Sequence, residues 1–166
     1  MELLRLMRGR GAGLTGLRSA VSALLAGGAF LMVGCDRTDP ELLPDERLRA
    51  ELGLTDADRV HTIELRTGVG EQAAPDSLEV YPSDLVQFVS TDWMVHEVAF
   101  PIDALGPAQR DFLERTGQLA SPPLLQQDAR FVLSFRDAPA GRYPFRLQGN
   151  RASGDGVVIV VVEEGR

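Results

Sequence analysis

Few side chains in this sequence are suited to bind a transition metal. The chain has one cysteine, Cys35, and two histidines, His61 and His96, and Met94 lies two residues before the second histidine. Thiolate and imidazole are the ligands that copper and zinc prefer, and a thioether is a weaker ligand for copper. The sequence therefore directs the search for metal chemistry to His96 and to whatever elements surround it.

Cys35 closes an apolar segment near the N-terminus, and this context indicates a role other than metal binding. Four arginines precede the run "AVSALLAGGAFLMVG", residues 20–34. The run is short and rich in small residues, which is typical of a secretory signal rather than of a membrane-spanning helix. The sequence "LMVGC" resembles a bacterial lipoprotein signal, which implies lipidation of Cys35 as the first mature residue. A plain signal peptide and an uncleaved anchor are the alternatives.

This assignment divides the chain into three predicted parts. Residues 1–34 are the signal peptide, residues 35–58 a lipidated cysteine with a tether and a short helix, and residues 59–166 a folded domain. We expect an exported lipoprotein, anchored in a membrane of the cell envelope and facing the periplasm or the outer surface. Its predicted partners are the membrane, through the lipid on Cys35, and an unidentified envelope protein.

Charge and cysteine content exclude several classes of function. The formal net charge is −7, and removing residues 1–34, with four Arg and one Glu, gives −7 − 3 = −10. An acidic chain lacks the clustered cations of a nucleic-acid surface. With a single cysteine the chain forms no internal disulfide. No nucleophile elbow or metal-hydrolase spacing is present, so we do not expect an enzyme.

The hydrophobic pattern predicts one mostly β domain. A helical pattern covers residues 44–54, and alternation begins at 60–67. "GVGEQ", residues 68–72, is interpreted as a turn or loop. Further strands are predicted near residues 77–81, 85–90, 96–101, 129–135, 142–148 and 156–164, and a second helix at residues 106–117 begins with Pro107 and stops at Gly117. About seven short strands with one inserted helix favour a two-sheet sandwich or a Greek-key barrel.

Two segments carry a family resemblance. "LEVYPSDLVQFVSTDWMVHEVAF", residues 78–100, resembles the front half of a cupredoxin of the plastocyanin and azurin type. It has the turn Pro82–Ser83–Asp84, then "VQF", then a polar loop. His96 stands where the family has its first copper-ligand histidine. The resemblance implies an all-β, cupredoxin-like Greek-key fold with one inserted short helix and a short N-terminal helix.

The second segment keeps the shape of the copper loop without its ligands. "PAGRYPFRLQGNRASGDGVVIVV", residues 139–161, resembles the back half of the family, and Tyr143 and Phe145 match its pattern. Leu147 stands at the cysteine position, Asn150 at the second histidine and Asp155, between two glycines and expected in a tight turn, at the methionine. We therefore expect the former ligand positions to hold no type 1 copper.

His96 and its neighbours leave several roles open. A type 1 site needs a thiolate, and lipidation would consume the one cysteine, Cys35. The metal site that remains possible is a histidine site at His96, assisted by Asp92, Glu97 or Asp155. The simpler interpretation is a structural histidine at a strand end, hydrogen-bonded or half exposed. Trp93, Met94 and His96 could form an exposed docking patch, and the alternative is that Trp93 caps the core.

The sequence thus predicts a lipid-anchored envelope domain that binds or docks, as an accessory to a membrane complex, without metal or other cofactor. The first alternative is a copper-binding or electron-transfer protein with an atypical site that uses His96. The second is a small-ligand-binding module with a pocket under the insertion at residues 106–128. A deep apolar cavity there would favour the ligand-binding module.

Overall fold

A computed structural model describes residues 40–162. The chain divides into two units, Met1–Asp36 and Arg37–Arg166, and the described residues all belong to the second unit. The signal peptide, Cys35 and residues 163–166 lie outside the described part. No helix between residues 40 and 162 is both long and apolar enough to cross a bilayer.

The described residues form eight strands and two α-helices, with short 3-10 turns at Pro40–Leu42 and Ile102–Ala104. The helices are α1 (Glu46–Leu52) and α2 (Pro107–Thr116). The strands are β1 (Val60–Thr67), β2 (Glu71–Ala74), β3 (Ser77–Val80), β4 (Leu85–Ser90), β5 (His96–Ala99), β6 (Arg130–Ser134), β7 (Gly141–Gly149) and β8 (Gly154–Val160).

The strands make two four-stranded sheets, in the orders β2-β1-β4-β6 and β3-β8-β7-β5. Two neighbouring pairs, β1 with β4 and β3 with β8, are parallel, and the other pairs are antiparallel. The predicted two-sheet sandwich with one inserted helix and a short N-terminal helix is confirmed. The predicted loop at "GVGEQ" is wrong from Glu71 onward, because Glu71 opens β2 and pairs with Thr67.

The core lies between the sheets and is rich in aromatic side chains. In β7, Tyr143, Phe145 and Leu147 alternate with exposed or half-buried neighbours and are buried. The Tyr143 hydroxyl donates a 2.7 Å hydrogen bond to the Pro139 carbonyl, and burial raises the pKa of this phenol to about 12. Each fully buried large side chain contributes roughly 1.5–3 kcal/mol to stability.

The inserted helix α2 adds its own residues to this core. Phe112 and Leu113 are buried, and the Phe112 ring meets Tyr143 edge to face at 6.3 Å between centroids. The helix ends at Gly117, whose φ of 68° is left-handed and therefore suits glycine. The predicted start at Pro107 and stop at Gly117 are both confirmed.

Helix α1 packs on the outer face of the first sheet. The Asp45 side chain caps its first turn by accepting the Leu48 N–H at 2.8 Å. Leu48 is buried against Val60 and Leu85, which begin β1 and β4. The helical pattern over residues 44–54 therefore corresponds to a helix that packs on the domain.

The loops lie at two opposite ends of the sandwich. β1 and β4 are parallel, so both strands begin at one end and finish at the other. We call one the His61 end, formed by residues 58–61 and 81–85. The other is the His96 end, formed by residues 67–71, 91–96, 121–128 and 149–153. The contacts that assign these segments to each end are described below.

Candidate functional site

His96 is completely buried and lies between two carboxylates. Its Nδ1 is 2.7 Å from Glu71 Oε2, and its Nε2 is 2.8 Å from Asp92 Oδ1. Its backbone N–H donates to the Leu124 carbonyl at 3.1 Å, and its own carbonyl accepts the Leu124 N–H at 2.8 Å. One histidine therefore ties together β2, the loop after β4 and the segment before β6.

Glycine at position 149 makes room for this cluster. Gly149 pairs with His96 across β5 and β7. A Cβ atom added there would overlap Glu71 Oε1 and the Val95 carbonyl oxygen. Val95 is backbone next to His96, so it cannot swing aside as the end of a side chain can. The sequence therefore needs glycine at this register position for the Glu71 carboxylate to reach the histidine ring.

The hydrogen bonds of His96 fix the number of protons in the cluster. A carboxylate oxygen only accepts, so each of the two N···O contacts needs a proton, carried by the ring or by the carboxyl group. Two carboxylates (−2) with a doubly protonated ring (+1) give −1, and moving a proton along either bond leaves that sum unchanged. The three side chains therefore share one net negative charge, with Glu71 and His96 fully buried and the Asp92 side chain 29% exposed.

Backbone N–H groups face that charge at Asp92. Its Oδ2 accepts the Thr67 N–H at 2.7 Å, and its Oδ1 accepts the Met94 N–H at 2.9 Å. Burial by itself raises the pKa of Asp92, but these two N–H groups and the His96 ring together hold it below its usual range. Asp92 is therefore the anionic anchor of the loop that carries Trp93.

Glu71 has fewer hydrogen-bond partners than Asp92. The Glu71 side chain has no solvent exposure, and its Oε1 atom has no hydrogen-bond partner among residues 40–162. A buried carboxyl oxygen without a donor is costly, so the bond from His96 is the one compensation that the side chain has. Sequence analysis did not single out Glu71, because it lies within a segment interpreted as a loop and has no recognisable spacing to His96.

The former ligand positions lie near His96 but their side chains diverge. Leu147 pairs with Val98 and is buried, filling the core, as predicted. Asn150 follows β7 and is exposed. The turn expected at Asp155 is wrong, because this residue lies in β8 and pairs with Arg146, which forms an ion pair with it at 3.1 Å. Cross-strand partners share a face, so Asp155 points away from Leu147.

These residues do not fit a type 1 copper ion. No cysteine occurs between residues 40 and 162, and both ring nitrogens of His96 are engaged by carboxylates. Of the residues suggested to assist His96, Asp92 is in contact as a hydrogen-bond acceptor, and Glu97 pairs with Gln148 one position further along β5. Within the described range there is no group of three or more His, Cys, Asp and Glu side chains arranged to hold a metal ion.

The second histidine belongs to the other end. His61 Nε2 lies 2.8 Å from Asp84 Oδ2, and the same oxygen accepts the Tyr81 N–H at 3.0 Å. This fixes the predicted turn at residues 82–84, in which the Asp84 N–H also donates to the Tyr81 carbonyl at 3.0 Å. His61 therefore lies in a different cluster from His96, as its position early in β1 suggested.

The three residues of the predicted docking patch differ in exposure. Trp93 is 75% exposed, so the alternative that it caps the core is wrong. Met94 is half-buried. His96 does not belong to the exposed patch, because it is buried beneath it. Two apolar residues that sequence analysis missed, Val69 and Leu125, are 98% and 66% exposed and lie in other loops of the same end.

The space near the insertion gives little support to a small-ligand pocket. Phe112 and Leu113 fill the core beneath α2 instead of roofing a cavity. An open groove of about 280 Å³ lies between α1 and β6. Its walls combine apolar side chains, of which Leu85 is buried, with polar and charged ones: Leu52, Leu54, Leu85, Gln118, Val132, Ser134 and Arg136.

Comparison with known proteins gives structural neighbours only. No family model matches the sequence, and no curated protein matches it. A solved structure of an oxidized amicyanin mutant is similar with a TM-score of 0.44 and 18% identity, covering 66% of this chain and 88% of that one. A Cu(I) amicyanin mutant reaches a TM-score of 0.43 at 19% identity, covering 74% and 95%.

A purple cupredoxin from Nitrosopumilus maritimus is similar with a TM-score of 0.41 and 18% identity, covering 61% of this chain and 99% of that one. The neighbours reported are thus cupredoxins. The likeness is distant, and the sandwich described above rests on the strand order and register of this chain. The copper in the Cu(I) amicyanin mutant is a property of that protein.

Proposed function

We propose that this protein is a lipid-anchored domain of the cell envelope that binds by docking and does not carry electrons through type 1 copper. Cys35 bears the lipid, and the His96 end is the docking surface. The domain acts at the membrane, as a non-catalytic accessory to a membrane complex. Trp93 carries the proposal, since it is 75% exposed on a loop that a buried network holds in place.

A large exposed aromatic ring on a fixed loop supports docking for a physical reason. An indole exposed to water gains free energy when a partner covers it, and tryptophan is among the residues that contribute most at interfaces. A loop that is already ordered loses less conformational entropy on binding than a mobile one. The Asp92 hydrogen bonds to Thr67 and Met94 supply that order next to the ring.

The copper-carrier alternative has to break this network. A metal ion at either ring nitrogen of His96 would displace Glu71 or Asp92 from hydrogen bonding, and the metal would be left with few soft ligands. Metal analysis of the purified chain after dialysis tests this directly. Less than stoichiometric copper supports the docking domain. Stoichiometric copper that is also retained by the Trp93→Ala variant supports the carrier.

Anchoring is tested at Cys35. Mass spectrometry of the chain extracted from membranes should find an acylated N-terminal Cys35, and Cys35→Ser should move the protein to the soluble envelope fraction. A free thiol at position 35 would contradict the anchor while leaving the described domain unaffected.

Docking is tested by site-specific photo-crosslinking in intact cells. A photoreactive phenylalanine analogue at position 93 should form adducts, and the same analogue at position 81 in the His61 end should form few. Tyr81 is the matched control because it is also a partly exposed aromatic ring, 41% accessible. Equal labelling at both positions would contradict a docking role for the His96 end.

A further inference from the structure

Four loops meet at the His96 end, and three of them present an apolar side chain to solvent. The hairpin after β1 carries Val69, the loop after β4 carries Trp93, and the segment before β6 carries Leu125. Thr67 N–H binds Asp92, which joins the first two loops, and Leu124 pairs with the backbone of His96, which joins the third. The three apolar side chains therefore belong to one connected end of the molecule.

The tips of these three loops carry no charge. Residues 68–70 read "GVG", residues 93–95 read "WMV" and residues 124–127 read "LLQQ", without one ionisable side chain among them. This is unusual in a chain with 24 acidic residues. The neighbouring acid Asp92 turns its carboxylate inward to Thr67, Met94 and His96. The three tips are therefore uncharged, and the exposed acid Asp128 follows directly after the third tip at the same end.

The fourth loop adds a single cation beside the apolar tips. Ala152 bridges to Gly70, which places the exposed Arg151 next to the Val69 hairpin. Apolar tips with a neighbouring cation match the boundary between lipid headgroups and acyl chains, where aromatic and aliphatic side chains enter and a guanidinium meets phosphate.

Helix α1 follows the tether and packs along the first sheet. Asp45, which begins α1, forms a 2.6 Å ion pair with Arg130, and Arg130 pairs with Val89 near the end of β4. The helix then runs toward Val60 and Leu85 at the opposite end, where Leu48 packs. Helix α1 therefore begins nearer the Ser90 end of β4 than it finishes.

The length of the tether limits where a lipidated Cys35 can be. Nine residues, Asp36 to Pro44, separate Cys35 from Asp45. Residues 40–44 already belong to the described fold, with a 3-10 turn at Pro40–Leu42, so the free tether runs only from Cys35 to Pro40 and spans at most about 18 Å. A tether this short keeps the domain close to the bilayer, and the exposed apolar tips make the His96 end the one expected to touch it.

From these observations we infer that the His96 end rests on the bilayer surface, with Trp93, Val69 and Leu125 in the headgroup region and Arg151 against lipid phosphate. The inference rests on the proposed function, because it needs the lipid on Cys35, and it names the surface that the docking end meets. The occupant is lipid, and a protein partner at this end is the competing outcome of the test.

Trp93 makes the test direct, because it is the only tryptophan in the sequence. The acylated chain, purified from membranes, is reconstituted into protein-free phosphatidylcholine vesicles with and without bromine-labelled acyl chains. Bromine quenches tryptophan fluorescence only at close range. The inference predicts that Trp93 emission shifts to shorter wavelength on reconstitution and is quenched by the brominated lipid.

A matched variant moves the probe to the other end. Trp93→Phe with Tyr81→Trp keeps one tryptophan and one partly exposed aromatic residue at each end, and its emission should be neither shifted nor quenched. A second variant, Val69→Ser with Leu125→Ser, retains Trp93 and should lose most of the quenching, since two of the three apolar contacts are gone. Both substitutions lie at exposed positions, so the fold is retained, which circular dichroism checks.

Unquenched Trp93 in these vesicles overturns the inference, and so does equal quenching of the two probe positions. If Trp93 is unquenched but the analogue at position 93 crosslinks to a protein in cells, the bilayer contact fails while the docking function stands. If Cys35 carries no lipid, the proposed anchoring fails, and the bilayer contact inferred from it fails as well.

Discussion

The two ends of the sandwich use histidine in the same way but expose different surfaces. At the His61 end, His61 binds one buried carboxylate, Asp84, which also holds the turn after β3. At the His96 end, His96 binds two carboxylates and is itself fully buried. Above His96 the loops present Trp93, whereas at the His61 end the exposed ring, Tyr81, lies beneath the guanidinium of Arg59 at 5.9 Å.

This difference separates a structural role from a docking role. Both histidines hold loops, so a histidine at a strand end is by itself no indication of a metal site. The Tyr81 ring already has a partner within the chain, while Trp93 has most of its surface in solvent. The His96 end thus combines the stronger internal network with the less covered apolar surface, which is what a preorganised binding end requires.

The largest expected effect comes from removing the two histidines in turn. His96→Leu leaves the buried Glu71 carboxyl group without a donor and removes one of the three donors to Asp92, which should lower the free energy of unfolding by about 3–5 kcal/mol. His61→Leu removes one such bond and should cost about 1.5–3 kcal/mol. Urea denaturation of the full chain measures both.

The cost of His96→Leu should shrink when Glu71→Leu is added, because the carboxyl group with the unpartnered Oε1 atom is then gone. A cost for His96→Leu no greater than that for His61→Leu would contradict the network described here.

A glycine substitution tests the geometry of the same network. In Gly149→Ala the new Cβ overlaps Glu71 Oε1 and the Val95 carbonyl, so the unfolding free energy should fall by about 1–3 kcal/mol. Gly68→Ala is the control at the same end, because its Cβ would meet only the end of the flexible Gln72 side chain, at 2.9 Å. That variant should change stability by less than about 0.5 kcal/mol. Equal effects of the two substitutions would argue against a tightly packed cluster.

Acid should weaken the His96 end through Asp92. The pKa of this group is lower in the folded chain than its ordinary 3.8, so its contribution to stability is present above pH 3.8 and is lost as the pH falls through the lower folded value. Asp92→Asn should flatten the decline of stability below pH 3.8, as followed by circular dichroism.

Asp58 provides the comparison at the His61 end. Its pKa is lowered by hydrogen bonds from the Thr55 N–H and then the Thr55 hydroxyl, so the sign of the effect is the same. Asp58→Asn should flatten the acid decline less, because its bonds join exposed residues. A steeper decline in Asp92→Asn than in the unaltered chain would reverse the sign argued here.

The smallest expected effect on stability belongs to the residue with the largest expected effect on binding. Trp93→Ala should change the free energy of unfolding by less than about 0.5 kcal/mol, because most of the ring is already in water. Tyr81→Ala should cost about 0.5–1 kcal/mol through loss of the Arg59 contact. Thermal unfolding compares the two, and a larger cost at Trp93 would mean that the ring belongs to the fold.

Strand and helix positions were largely predictable, and contacts between distant segments were not. β1 begins at Val60 and ends at Thr67, as the alternation predicted, and α2 lies between the predicted Pro107 and Gly117. β2 was missed because its four residues, "EQAA", follow a glycine-rich turn and contain little of the β-branched signal. Asp155 was placed in a turn because its flanking glycines are local turn signals, whereas pairing with Arg146 makes it part of β8.

In the candidate site, too, residue types could be predicted from the sequence and contacts between distant segments could not. His96 and Asp92 were named from the sequence, but as a metal ligand and an assisting residue, since residue type alone does not tell a ligand from a hydrogen-bond partner. Glu71, which lies 25 positions from His96, was not named at all. Its approach depends on the pairing of Gly149 with His96, a register that no local pattern records.

The sequence by itself determined the alternating strands, the helix ends and the lack of a cysteine after position 35, because these depend on local periodicity and residue type. Only the tertiary structure decided that His96 is enclosed by two carboxylates and that Trp93, Val69 and Leu125 emerge at one end. The physical reason is that burial and hydrogen bonding are properties of segments brought together by sheet register. Residues far apart in the chain become neighbours only when the two sheets close on their core.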